Sequence, residues 1–236
     1  RLRTLGLNET KTYTLTSPEM SKMFNYEHKA KVVLPNPMSI DKSTIRTTIL
    51  PSLLNVYDYN KSRKVENILI YEIAKTYDIS YKEDTKISIL MKGNYQGSTW
   101  QNNKLPVDFY ILKGIIENLL DYMGLKNRYT FKSSSIKDMH PGMSAEILLD
   151  REPIGVIGRI HPSIKKEEIY LSEISLNKLI KPIKPIKYKP ASIYPEIVKD
   201  ISFIVNKDIS CETLSEQIKK SAGRLLSNIQ VFDVYT

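Results

Sequence analysis

Residues 36–54 constrain this chain most, because a turn, a short extended run and a helix follow one another there without slack. Asn36-Pro37 reads as a turn, since proline fixes its own φ and drives the preceding residue out of the helical region. Pro51 suits the first turn of a helix, where its missing N–H costs nothing. Leu50, Leu53, Leu54 and Tyr57 then share one helical face. A helix running from residue 51 to about residue 63 with so apolar a face needs an apolar surface to lie on.

Strand patterns supply that surface. Residues 68–77 and 86–91 are apolar β runs separated by a polar turn, and residues 11–16, 32–34, 129–132, 145–149, 154–160 and 169–175 read as further strands. Residues 107–123 form the clearest helix: Leu112, Ile115, Ile116, Leu119, Leu120 and Met123 make one stripe, and Gly124 suits the left-handed stop. Ser17-Pro18 predicts another helix start, and residues 176–179 a helical turn. Helices lie between groups of strands joined by short turns. The expected class is α+β, an antiparallel or mixed sheet with helices to one side.

Residues 178–190 change character. Lys178, Lys181, Lys184 and Lys187 recur every three residues among Pro182, Pro185 and Pro190, with no acid between them. A polyproline II helix has three residues per turn, so these lysines share an edge. They fit a stiff solvated spacer or, alternatively, a strip that tracks phosphates. The expected division is a domain over 1–180, a linker over 181–192, and a compact β–α–β unit over 193–236. In that unit residues 201–205 and 229–235 read as strands, Ser210 caps a helix over 211–222, and Gly223 ends it.

A chain of 236 residues with 41% apolar and 26% charged residues can bury one large core, or one large and one small. Its net charge of +9 makes nucleic acid a plausible partner, although compositional bias yields the same number. The single cysteine, Cys211, excludes an internal disulfide and fits a reducing compartment. No run reaches the roughly 18 apolar residues of a spanning helix, and no signal-peptide pattern opens the chain. A cytoplasmic location without membrane contact is expected. The chain begins at Arg1 and stops within an apolar run, which reads as a piece of a longer polypeptide.

Six segments in order, NPMS…RTTILPSLL, YEIAKTY, PVDFYILKGIIENLL, HPGMSAEI, GVIGRIHP and YPEIVKDISFIV, resemble the bacterial phenylalanyl-tRNA synthetase β subunit. The resemblance implies a class II aminoacyl-tRNA synthetase-like antiparallel sheet with flanking helices that has lost its catalytic groups. A partial ferredoxin-like βαβ unit of an anticodon-binding domain follows it. It also implies a catalytic α subunit as partner, tRNA(Phe) as ligand and an (αβ)2 holoenzyme. ATP and Mg2+ would be used there mainly by the α subunit and an upstream β domain, with no cofactor in this segment. Residues 36–57 resemble motif 1, so Arg46, Pro51, Leu54 and Tyr57 are expected at the subunit interface. Lys181, Lys184, Lys187 and Lys199 are the expected tRNA contacts.

Catalysis by this chain is not expected. A class II synthetase grips ATP with an arginine on its motif 2 strand and another at the start of a glycine-preceded helix, because guanidinium matches phosphate geometry. The corresponding strand, residues 68–77, has Lys75 as its only cation, and Arg159 sits within a strand pattern. His28, His140 and His161 lack metal spacing and read as structural. Gly155 and Gly158 interrupt a β run rather than form a phosphate loop. Cys211 reads as a plain helix residue, and Asp41, Lys42, Glu66 and Glu72 as surface charges. The alternatives are a self-sufficient nucleotide-dependent ligase and a generic basic RNA-binding module.

Overall fold

The computed structural model describes residues 1–96, 100, 104–182, 188, 190, 193–207 and 209–235. Two units separate by their internal contacts, Arg1–Pro185 and Ile186–Thr236.

The first unit is built on a seven-stranded sheet in the order β1-β4-β5-β11-β10-β9-β8. Its strands are β1 (Asn8–Glu9), β4 (Ile68–Tyr77), β5 (Glu83–Lys92), β8 (Tyr129–Ser133), β9 (Met139–Leu149), β10 (Glu152–Ile160) and β11 (Tyr170–Ser175). Only β1 runs parallel to its neighbour; every other pairing is antiparallel. Two small ribbons flank the sheet: β2 (Leu15–Thr16) with β3 (Thr44–Ile45), and β6 (Asn94–Gln96) with β7 (Leu105–Pro106). Helix α1 spans Leu50–Ser62 with Pro51 in its first turn. Helix α2 spans Phe109–Tyr122, capped by Asp108, whose carboxylate accepts from the Ile111 amide.

Apolar side chains emerge from both sides of the sheet, and each side has its own core. One core joins Leu69, Tyr71, Ile87, Ile89 and Met91 to the stripe of α2. The other joins Ile68, Ile70, Leu90, Val156 and Leu171 to Leu50, Leu53, Leu54 and Tyr57 of α1. The two helices therefore cover opposite faces, not one side as the sequence suggested. The unbroken run Ile68-Leu69-Ile70-Tyr71, buried at all four positions, is the physical reason: a strand covered on one face alternates, and this one does not.

Several expected elements are shorter. The helix expected at Ser17 is a 3-10 turn over Met20–Lys22, with the Ser17 hydroxyl accepting from the Met20 amide. Residues 32–34 contribute one bridge, Val33 to Thr44. Gly155 is required where β10 meets β11: a Cβ there would lie 2.2 Å from the Glu173 carbonyl oxygen.

In the second unit α3 spans Cys211–Ala222, and the Ser210 hydroxyl accepts from the Thr213 amide. Residues 201–205 and 229–235 carry no ladder, contrary to expectation. Without a partner a β-prone segment has nothing to bond to.

Candidate functional site

Side chains alternate across a strand, so Glu72 on β4, Lys86 and Ser88 on β5 and Glu173 on β11 all face α1. This polar patch lies within the apolar face formed by Ile70, Leu90 and Leu171. Its groups are deeply buried, with Glu173 at 0% and Lys86 at 1% exposure.

Glu173 accepts five hydrogen bonds. Its Oε1 takes one from Tyr26 Oη (2.8 Å) and one from Lys86 Nζ (2.9 Å). Its Oε2 takes one each from the Ile49 amide (2.7 Å), Ser88 Oγ (2.7 Å) and Thr48 Oγ1 (3.0 Å). Lys86 Nζ also donates to Glu27 Oε2 (2.6 Å) and to the Thr47 carbonyl oxygen (3.4 Å). Burial pushes the Glu173 carboxyl up, but the Lys86 ammonium and the donors outweigh it and leave it below the usual carboxylate range. Glu27 is held low by the same balance of burial against Lys86. Burial pushes the Lys86 ammonium down, and Glu173 and Glu27 more than restore it. Burial, reinforced by Glu173, raises the Tyr26 hydroxyl.

A second pair sits beside the first. Arg46 Nη1 and Nη2 both donate to Glu72 Oε1 at 3.2 Å. Arg46 Nη1 also donates to Thr12 Oγ1 (2.7 Å), and Nε to the Lys75 carbonyl oxygen (3.2 Å). Thr12 donates to Glu72 through its amide (3.2 Å) and its hydroxyl (2.7 Å). The Arg46 backbone is pinned in turn, its amide to Thr14 and its carbonyl oxygen to the Tyr77 amide.

These residues do not fit a nucleoside triphosphate. Each cation is already held by a carboxylate, and the N-terminal segment supplies the lid through Thr12, Tyr26 and Glu27. A neighbouring cavity lined by Tyr26, Glu27, Lys86, Glu146 and Ser175 holds about 180 Å³, below the roughly 300 Å³ at which ligand pockets begin. Arg159 on β10 pairs with Glu168 at 3.0 Å. Among the described residues no group of three His, Cys, Asp or Glu could hold a metal ion. His140 Nδ1 accepts from the Gly142 amide, and His161 Nδ1 from the Ser163 amide, so both rings close turns. Among the described residues no helix is long and apolar enough to cross a membrane.

The expected interface residues lie inside the chain. Arg46, Pro51, Leu54 and Tyr57 are all buried, Arg46 by its pairing with Glu72 and the other three by α1 lying against the sheet. Motif spacing located the helix, and the stripe it picked out packs on the chain's own sheet. The outward face carries Asn55 and Tyr59, and the preceding turn exposes Met38 and Ile40. Glu72, expected at the surface, is 1% exposed. Of the lysines expected to contact tRNA, Lys181 pairs with Glu152 at 2.7 Å and Lys199 is exposed. Lys184 and Lys187 lie outside the described residues. Sequence reasoning missed Tyr26, Glu27, Lys86 and Glu173. The signal was available for Glu173, an acid in register with buried Leu171.

In fold the chain resembles an aminoacyl-tRNA synthetase. The chain is similar to Desulfitobacterium hafniense PylSc, a pyrrolysyl tRNA synthetase, with a TM-score of 0.55 at 13% identity, over 76% of this chain and 63% of that one. Residues 1–175 match the phenylalanyl tRNA synthetase beta chain CLM domain, and the chain belongs to that family. Residues 192–236 match the ferredoxin-fold anticodon binding domain. Phenylalanine–tRNA ligase beta subunits of Geobacillus kaustophilus (34% identical over 240 residues) and Bacillus subtilis (35% over 241) each match 98% of this chain. The chain spans about 30% of the length of these relatives.

Proposed function

We propose that this chain is a non-catalytic β-subunit segment of a phenylalanine–tRNA ligase. It scaffolds the catalytic α subunit through a class II synthetase-like sheet and contributes to tRNA(Phe) binding. The organisation that goes with this reading is a core over 1–180, a linker over 181–192 and the start of an anticodon-binding domain over 193–236, in a cytoplasmic (αβ)2 enzyme. ATP and Mg2+ serve the α subunit and an upstream β domain.

One observation carries the reading. The charged groups on the α1 face of the sheet are closed by the chain's own ion pairs, Arg46–Glu72 and Lys86–Glu173. A buried arginine bonded to a buried glutamate is unavailable to a phosphate unless that pair is broken, and breaking such a pair costs about 3–5 kcal/mol. Calorimetric titration of the full chain with ATP and phenylalanine is expected to give no saturable heat. Co-expression with the α subunit is expected to give a co-purifying complex. Micromolar ATP binding by this chain alone would instead establish a self-sufficient ligase.

A further inference from the structure

Three lysines of the first unit gather where two distant segments meet. Lys137 Nζ donates to the Lys22 carbonyl oxygen (3.4 Å), and the Phe24 amide donates to Asp138 Oδ2 (2.7 Å), so residues 22–24 are tied to residues 137–138. Asn25 and Lys29 exchange two hydrogen bonds of 3.0 Å that close the turn after Phe24, and Lys31 beyond it lies close enough to Lys22 and Lys137 to feel both charges. Lys22 and Lys137 are exposed and Lys31 is half-buried. None of the three makes an ion pair among the described residues. The one acid drawn into the junction, Asp138, holds the Phe24 amide. Burial, then Lys22 and Lys137, push the Lys31 ammonium below its ordinary value.

A half-buried ammonium beside two like charges is an unfavourable arrangement that an anion relieves. Lys86, Arg46 and Lys165, also buried or half-buried, each have a carboxylate within 3.2 Å. We propose that Lys22, Lys31 and Lys137 form a contact for RNA phosphates on the first unit, separate from the lysines at 181–199. The inference rests on the tRNA reading above and gives it a second anchoring point, on the sheet-bearing unit. A phosphate contact of this kind positions RNA without reading its sequence.

The test is filter binding of unfractionated tRNA to the full chain between 50 and 300 mM KCl. The triple variant Lys22→Ala, Lys31→Ala, Lys137→Ala is expected to flatten the plot of log affinity against log salt by about two units, since each lost phosphate contact removes roughly 0.7–0.9. Affinity at 100 mM falls at least about tenfold on the same scale. Replacement of all three by arginine is expected to restore both, which separates charge from folding damage. If the unaltered chain binds tRNA and the triple alanine variant matches it in slope and affinity, the patch is not a contact and the tRNA reading survives. If the unaltered chain shows no salt-dependent binding, the tRNA reading fails and the patch with it.

Discussion

A single carboxylate, that of Glu173, meets five donors, and removing its strongest partner leaves a charge stranded in an apolar face. Lys86→Met is therefore expected to cost about 3–5 kcal/mol in urea unfolding, and pairing it with Glu173→Leu to recover part of that loss. The direction of the shifts fixes the pH profile. Glu173 and Glu27 titrate below their ordinary 4.5, so their stabilisation is complete above that value and is lost as pH falls through their folded pKa values. Lys86 titrates above 10.5, so its contribution is complete below that value and is lost as pH climbs through its folded pKa. Unfolding followed by circular dichroism should thus show stability falling away below about pH 4.5, and Lys86→Met should blunt that fall. Thr44 Oγ1 is the opposite case, a buried hydroxyl without a hydrogen-bond partner among the described residues. Thr44→Val, which keeps the shape and suits a strand, is expected to stabilise by about 1 kcal/mol in the same assay. Glu72 shows why these residues were hard to read: an acid inside the apolar 68–77 run reads as a surface charge, whereas its period places it with Ile68 and Ile70. The partner that makes its burial tolerable, Arg46, is 26 residues away.

At the scale of elements, the sequence announced long periodic segments and hid those decided by tertiary contact. The 68–77 strand and both helices of the first unit were legible to within about two residues, because burial on a face imposes a period. The 3-10 turn at Met20–Lys22 was not, because Ser17 caps a turn as well as it caps a helix. The stripe of α1 expected at the interface packs on the chain's own sheet, and an apolar stripe looks the same in sequence whether it meets its own sheet or another subunit. Gly155 gives the sharpest test of an element contact. Gly155→Ala would drive a methyl into the Glu173 backbone and part β10 from β11. The expected loss is about 3 kcal/mol or more, with a visible drop in soluble yield.

For the molecule as a whole, burial is distributed unequally. The first unit holds both cores, whereas α3 has no buried residue and Phe203, Ile204, Phe232 and Val234 are all exposed. Opening is easiest where few apolar contacts resist it. Limited trypsin digestion is expected to cut first among the described lysines and arginines of 193–235, leaving a resistant fragment close to 1–185. Initial cleavage within the first unit would contradict that ordering. Composition foretold the large core. Composition could not foretell that Lys178 and Lys181 would be held by Pro153 and Glu152, because those partners come from a strand 25 to 29 residues earlier in the chain.

The five donors around Glu173 come from residue 26, residues 48 and 49, and residues 86 and 88. Drift at any one of these positions alters what the rest can tolerate. Tyr26, Thr48, Lys86 and Ser88 must therefore change together or not at all, and their separate substitutions should not sum.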